Sequence, residues 1–226
     1  MEIAGTVTRA FRRLDAERQR AVVGAIVTEA AEHGPQGVQI RRVAERAGVS
    51  VGSLYQYFGT RDGMVAAAIE VAVGYLTGSL DEAAPFLAEM PLRDGLLAYL
   101  TVGTQWSAGN ADLLRLFVRA AYGGLTEHTA SVVRPVAQSM RGVLRALLEG
   151  ASERGELRAG VDVETALRLV HVVTVAVGDA QLVDYLDDYY LLFDAENGPE
   201  SVVPQLVDLL VRAIGADAAD TGGERA

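Results

Sequence analysis

A run of hydrogen-bonding side chains lies between Gly48 and Asp62: Ser50, Ser53, Tyr55, Gln56, Tyr57, Thr60 and Arg61, with Leu54 and Phe58 spaced four apart among them. If this stretch is helical, Leu54 and Phe58 share an inner face, and Val51, Gly52, Ser53, Tyr55, Gln56 and Tyr57 are free to face elsewhere. These groups suit the edges and backbone of a nucleic acid. A glutamine amide such as Gln56 can pair with adenine, an arginine such as Arg41 with guanine O6 and N7, and Val51 can meet only a thymine methyl. The hydroxyls of Ser53 and Tyr57 suit phosphate oxygens. Thr60 as a cap, the amides of the helix it starts and the side chain of Arg61 together make a phosphate clamp. Gly52 and Ser53 are poor helix formers, so their presence points to close approach rather than local stability.

No competing chemistry is as concentrated. Cysteine is absent, which excludes disulfides, Cys-ligated zinc, iron–sulfur clusters and thiol catalysis. The histidines, His33, His128 and His171, are scattered without metal-ligand spacing, and no nucleophile elbow, phosphate loop or paired-acid motif is present. The expectation is therefore no metal, no cofactor and no catalytic residue. An all-helical enzyme assembled from distant residues is the rival reading.

The elements that must carry the run are helices. Asp15 caps a first helix in which Val22, Ile26 and Ala30 recur four apart, and His33-Gly34-Pro35 stops it. A second helix, from about Ile40 to Ala47, turns Ile40, Val43, Ala44 and Ala47 inward and Arg41, Arg42, Glu45 and Arg46 outward. Gly48 supplies a turn, and Ser50 caps a third helix of about two turns. Helix, glycine-containing turn, helix is the helix-turn-helix pattern, whose second helix enters the major groove.

The run from Ile40 to Phe58, followed by Gly59-Thr60-Arg61-Asp62, resembles the DNA-binding signature of the TetR (tetracycline-repressor-like) family of transcriptional regulators. Leu-Tyr-x-x-Phe after a Gly-Val-Ser turn, with a basic residue three positions on, is a specific match. The resemblance covers residues 14 to about 75. It implies that Val51, Gly52, Ser53, Tyr55, Gln56 and Tyr57 lie against double-stranded DNA and that Arg41 reaches a base or phosphate. Tyr55 is equally open to packing beside Leu54 and Phe58, whereas Arg42 and Arg46 read as solvated surface. Gln39 stands where the family more often has Ser or Thr. Arg9, Arg12 and Arg13 read as an N-terminal arm.

At 226 residues the chain exceeds a lone DNA-binding module, and two domains are expected. These are a helix-turn-helix domain over 1–60 and a helical effector-binding and dimerisation domain over 61–215, with a disordered tail over 216–226. The fold class is all-α, with about nine helices. In the body, Met64 to Thr77 continues a fourth helix, and Pro85 and Pro91 punctuate the next connection. Further helices run over Leu92 to Ala108, over Ala111 to Tyr122 with Asn110 as cap, and over Thr126 to Arg154 with a bend near Pro135. Asp162 caps a long helix to about Tyr190, and Val202 to Ile214 forms the last.

Leu167 to Gly178 is apolar nearly all round, so that helix needs burial on more than one side, and a second copy of the chain could cover one. This fits the family's homodimer, which presents two recognition helices to a palindromic operator. Polar or aromatic groups inside these apolar helices are candidates for a small-molecule effector pocket: Tyr99, Gln105, Trp106, Phe117, Tyr122, His171, Thr174 and Asp179. The resemblance implies a repressor released by its effector. The same fold without operator binding is the alternative.

Charge is divided along the chain. All 20 basic residues are arginine, and residues 1–61 hold nine of them against six acids, while the remainder is strongly acidic and brings the net charge to −10. An acidic body repels phosphate everywhere except at the basic head, which orients an encounter with DNA. No uninterrupted membrane-length apolar segment and no signal-peptide core is evident, so a cytoplasmic protein is expected.

Overall fold

The computed structural model describes residues 7–122 and 129–216. The described residues are all-α. Their eleven helices are α1 (Arg9–Arg12), α2 (Ala16–His33), α3 (Ile40–Ala47), α4 (Val51–Phe58), α5 (Arg61–Glu89), α6 (Leu92–Gly109), α7 (Ala111–Tyr122), α8 (Arg134–Glu153), α9 (Val163–Leu182), α10 (Asp184–Tyr190) and α11 (Pro199–Ile214). The chain forms two compact units, one of Met1–Thr77 and Asn110–Val136, the other of Gly78–Gly109 and Ala137–Ala226.

In the first unit the caps read from sequence are in place. The Asp15 carboxylate accepts from the Arg18 amide at 2.8 Å, and the Ser50 hydroxyl accepts from the Ser53 amide at 3.0 Å. Gly48 takes the left-handed conformation, φ 65°, and so ends α3 and opens the turn to α4. Val22, Ile26, Ala30, Val43, Leu54 and Phe58 are buried in one core, which Met64, Ala67 and Ala68 of α5 complete. Helix α7 joins this unit by packing on α2, with the Thr28 hydroxyl donating to the Asp112 carboxylate at 2.8 Å.

The second unit is built on Leu96, Leu144, Leu147, Leu148, Leu167, Val170 and Val207, from α6, α8, α9 and α11. Two of its helices approach so closely that a Cβ on Gly150 would stand 2.1 Å from the Ala88 carbonyl oxygen. Beside that contact, Arg154 donates to the carbonyls of Ala88 and Met90, and Glu156 accepts from the Leu92 amide at the start of α6.

Three expectations need correction. Pro85 does not punctuate a connection but lies inside α5, because Leu80, Ala83, Ala84 and Leu87 keep that stretch packed on the second core across the missing amide. The helix after Asp162 is not continuous to Tyr190: Val183, at φ −142°, leaves the helical region and separates α9 from α10. Arg9–Arg12 is not an open arm but a helical turn whose Phe11 is buried. A π-helical turn over Thr129–Val133 precedes α8, which contains Pro135. The residues placed in the tail from 217 onward, and those at 126–128 assigned to the start of a helix, lie outside the described residues.

By length and composition α5 could cross a membrane. Its Met64, Val65, Ala67, Ala68, Ile69 and Ala72 instead fill the first core, and Leu87 the second, which makes it a core helix.

Candidate nucleic-acid interface

Helix α4 displays on its outer side the groups that its sequence suggested. Gly52 and Gln56 are exposed, Tyr55 is 48% exposed, and Val51, Ser53 and Tyr57 are half-buried. Tyr55 therefore does not belong to the core, in which this helix buries Leu54 and Phe58 with Val51 and Tyr57 packed against them. A Cβ on Gly52 would meet nothing nearer than the Ser50 hydroxyl at 3.7 Å, so packing within the head does not require glycine there. The missing side chain flattens the outer surface, as close approach by another molecule would require. Ser50 and Ser53 share a hydroxyl–hydroxyl hydrogen bond of 2.8 Å.

Tyr57 is held rather than free. Its ring lies edge-on to Phe11, centroids 6.0 Å apart, and to Phe58 at 6.3 Å. The Thr8 amide donates to the Tyr57 carbonyl at 2.9 Å and the Thr8 hydroxyl to the Gln56 carbonyl at 2.8 Å. The segment before α1 thus satisfies two of the carbonyls left open at the end of α4. Sequence reasoning passed over Thr8 and Phe11 because the neighbouring arginines drew the eye to charge. The signal was apolar, with Val7, Phe11 and Leu14 at helical spacing.

Thr60 caps α5, its hydroxyl accepting from the Gly63 amide at 3.0 Å. Arg61 faces inward: its guanidinium donates to the carbonyls of Val38 at 2.9 Å, of Pro35 at 3.0 Å and of Gln36, and pairs with Asp62 at 2.8 Å. It braces the turn before α3. Arg41 is exposed and makes no hydrogen bond or ion pair among the described residues, whereas Gln39, before α3, makes no side-chain cap.

Arg42 and Arg46 converge on α2. The Arg46 guanidinium donates to Glu32 at 2.6 Å, and Arg42 donates to His33 Nε2 at 2.8 Å. Arg46 holds the Glu32 carboxyl below the usual range. Behind them Glu29 is fully buried, and neither of its carboxylate oxygens has a hydrogen-bond partner. A search for paired histidines misses this cluster. Its signal is an acid, an acid and a histidine at i, i+3 and i+4.

The effector candidates are dispersed. In the second unit Tyr99 of α6 hydrogen-bonds Thr174 of α9, and burial pushes the Tyr99 phenol up, opposed by that bond. The Thr174 hydroxyl also lies 3.0 Å from the His171 carbonyl. Burial, with Arg141 nearby, lowers the pKa of His171, whose Nδ1 is buried without a partner. Asp179 is buried and Gln105 exposed, while Phe117 packs on the core of the first unit. The side chains of Trp106 and Tyr122 lie outside the described residues.

Residues 23–68 match the family of bacterial regulatory proteins named tetR. Over 176 residues the chain is 29% identical to an HTH-type transcriptional regulator, BetI 1, of Chromohalobacter salexigens, covering 68% of this chain and 87% of that protein. It is 35% identical over 68 residues to the HTH-type transcriptional repressor KstR of Mycolicibacterium smegmatis, or 30% of this chain and 33% of that one. Among solved structures, a TetR family transcriptional regulator from Chloroflexus aurantiacus superposes with a TM-score of 0.61 at 23% identity, over 93% of this chain and 99% of that chain.

Proposed function

Because this chain belongs to the TetR family of bacterial regulatory proteins, we propose that it is a repressor in the cytoplasm that binds a palindromic operator as a homodimer and is released by a small-molecule effector. The observation that carries the reading is the outer face of α4, where Tyr55 and Gln56 stand exposed beside the flat surface at Gly52, with Arg41 exposed on α3 and unpaired among the described residues. Gln56 and Arg41 read base edges, Ser53 and Tyr57 contact phosphate, and the capped first turn of α5 at Thr60 offers its amides to another. Arg61 acts by holding the turn before α3 in place. The proposed activity is binding, without a catalytic step.

Pairing uses α9 and α11, where Leu169, Val172 and Leu209 are 63%, 65% and 61% exposed. Covering them with the same helices of a second copy removes apolar surface from water and sets two recognition helices about 34–36 Å apart. The effector meets the Tyr99–Thr174 pair and His171 through its hydrogen-bonding groups and the surrounding leucines and valines through its apolar body. It shifts the equilibrium only by binding the DNA-free state more tightly.

The test is selection of bound sequences from random duplexes, followed by anisotropy titrations at fixed salt. Arg41→Ala and Gln56→Ala are each expected to weaken the selected site by roughly tenfold, and to relax preference at one base position. Equal affinity of wild type and both variants for selected and scrambled duplexes would sink the operator reading.

A further inference from the structure

We propose that Glu29, Glu32 and His33 form a binding site for a divalent transition-metal ion at the joint between α2 and α3. One ligand atom from each lies within 4.8 Å of the others. His33 Nδ1 donates to the Glu29 carbonyl at 3.3 Å, a bond that coordination would replace, and it lies 3.5 Å from Glu29 Oε1 and 3.7 Å from Glu32 Oε2. Two donors bound tetrahedrally to one zinc ion stand roughly 3.3 Å apart, so these two separations need to change by only a few tenths of an ångström. The set of one imidazole and two carboxylates suits zinc and its neighbours, and its two negative charges neutralise the ion.

The second observation is independent of the spacing. The Glu29 side chain has no exposure, and neither oxygen has a hydrogen-bond partner; its nearest cations stand at 3.6 Å, Arg46, and 3.9 Å, Arg42. Buried carboxylates are ordinarily paired closely or bound to metal. An ion seated beside Glu29 supplies what the arginines do not reach.

The arginines are displaceable. Both are exposed, and the pair that Arg46 makes with exposed Glu32 biases an equilibrium by no more than about fivefold. Tautomer chemistry makes the displacement of Arg42 obligatory. In this structure Arg42 donates to His33 Nε2, which places the imidazole proton on Nδ1. Coordination through Nδ1 moves that proton to Nε2, where it can no longer accept from a guanidinium. Metal binding and the Arg42–His33 bond are therefore mutually exclusive, and the ion would act on the helix that opens the helix-turn-helix. The site stands whether or not α4 reads an operator.

The experiment is a Zn2+ titration of the chelator-treated full chain against a chromophoric competitor, repeated with Co2+ to read its visible spectrum. One ion per chain is expected at about 10 μM affinity or tighter, weakened at least roughly tenfold by His33→Ala and by Glu32→Gln. Circular dichroism checks that each variant is folded; His33 and Glu32 are partly exposed, and Glu29→Gln is a third variant that keeps the buried shape. Arg42→Ala is expected to tighten binding, which a site elsewhere on the surface would not show. No uptake at about 100 μM Zn2+, unchanged affinity in His33→Ala, or weaker binding in Arg42→Ala would each overturn the proposal.

Discussion

Single side chains divide into those whose work sequence discloses and those whose work depends on distant backbone. Asp15, Ser50 and Asp162 are caps by type and position, and each accepts from the amide three residues on. Arg61 is different. Its place after a capping threonine suggests a phosphate ligand, yet carbonyls 23 to 26 residues away claim its guanidinium, and nothing local announces that. Glu164 shows the same dependence in the second unit. Arg145, then Arg168, with Arg141 alongside, hold its carboxyl at a pKa of about 2, against 4.5 for the free group. A depressed carboxylate pKa contributes stability above the unfolded value that is lost as pH falls through the folded one. The urea midpoint of wild type should therefore exceed that of Glu164→Gln at pH 7, with the gap closing between about pH 4.5 and pH 2. A gap independent of pH would contradict it.

At the scale of elements, periodicity located α2, α3, α4 and α7 almost to the residue, because each has an apolar stripe bounded by a capping side chain or a glycine turn. It failed where packing overrides local signals: through Pro85, across Val183, and at α1, four residues long, which no propensity argument would stabilise alone. Helix α1 exists because Phe11 is buried against Phe58, ring centroids 5.1 Å apart, and because Thr8 bonds the last carbonyls of α4. The end of the recognition helix is thus fastened by the beginning of the chain. Phe11→Ala should cost about 3–5 kcal/mol in the head and raise amide exchange at residues 55–58 more than in α9. Denaturant titration and hydrogen exchange by mass spectrometry read both, and exchange unchanged over 55–58 would show that α1 is incidental.

Over the whole molecule, sequence disclosed an all-helical chain with a basic beginning and an acidic remainder, because composition and charge are properties of segments. It could not disclose which segments fold together. The unit that holds the helix-turn-helix includes Asn110–Val136, separated from Met1–Thr77 by the 32 residues of Gly78–Gly109. Val132 is buried in the first core, with Leu113 and Phe117 packed on it, and Asp112 bonds Thr28. A fragment ending at Thr77 loses all four. It should show helical circular dichroism with poorly dispersed amide resonances and a broad thermal transition, and adding back a peptide of residues 110–136 should sharpen both. A sharp transition in the fragment alone would contradict this.

That discontinuous unit limits how evolution or an engineer can exchange parts. Here one crossover after residue 77 would graft a head onto a stranger's α7, leaving Thr28 opposite whatever side chain the donor supplies. A viable hybrid needs two crossovers, or a donor already matched to α2. Residues 1–77 and 110–136 therefore have to be exchanged as one part.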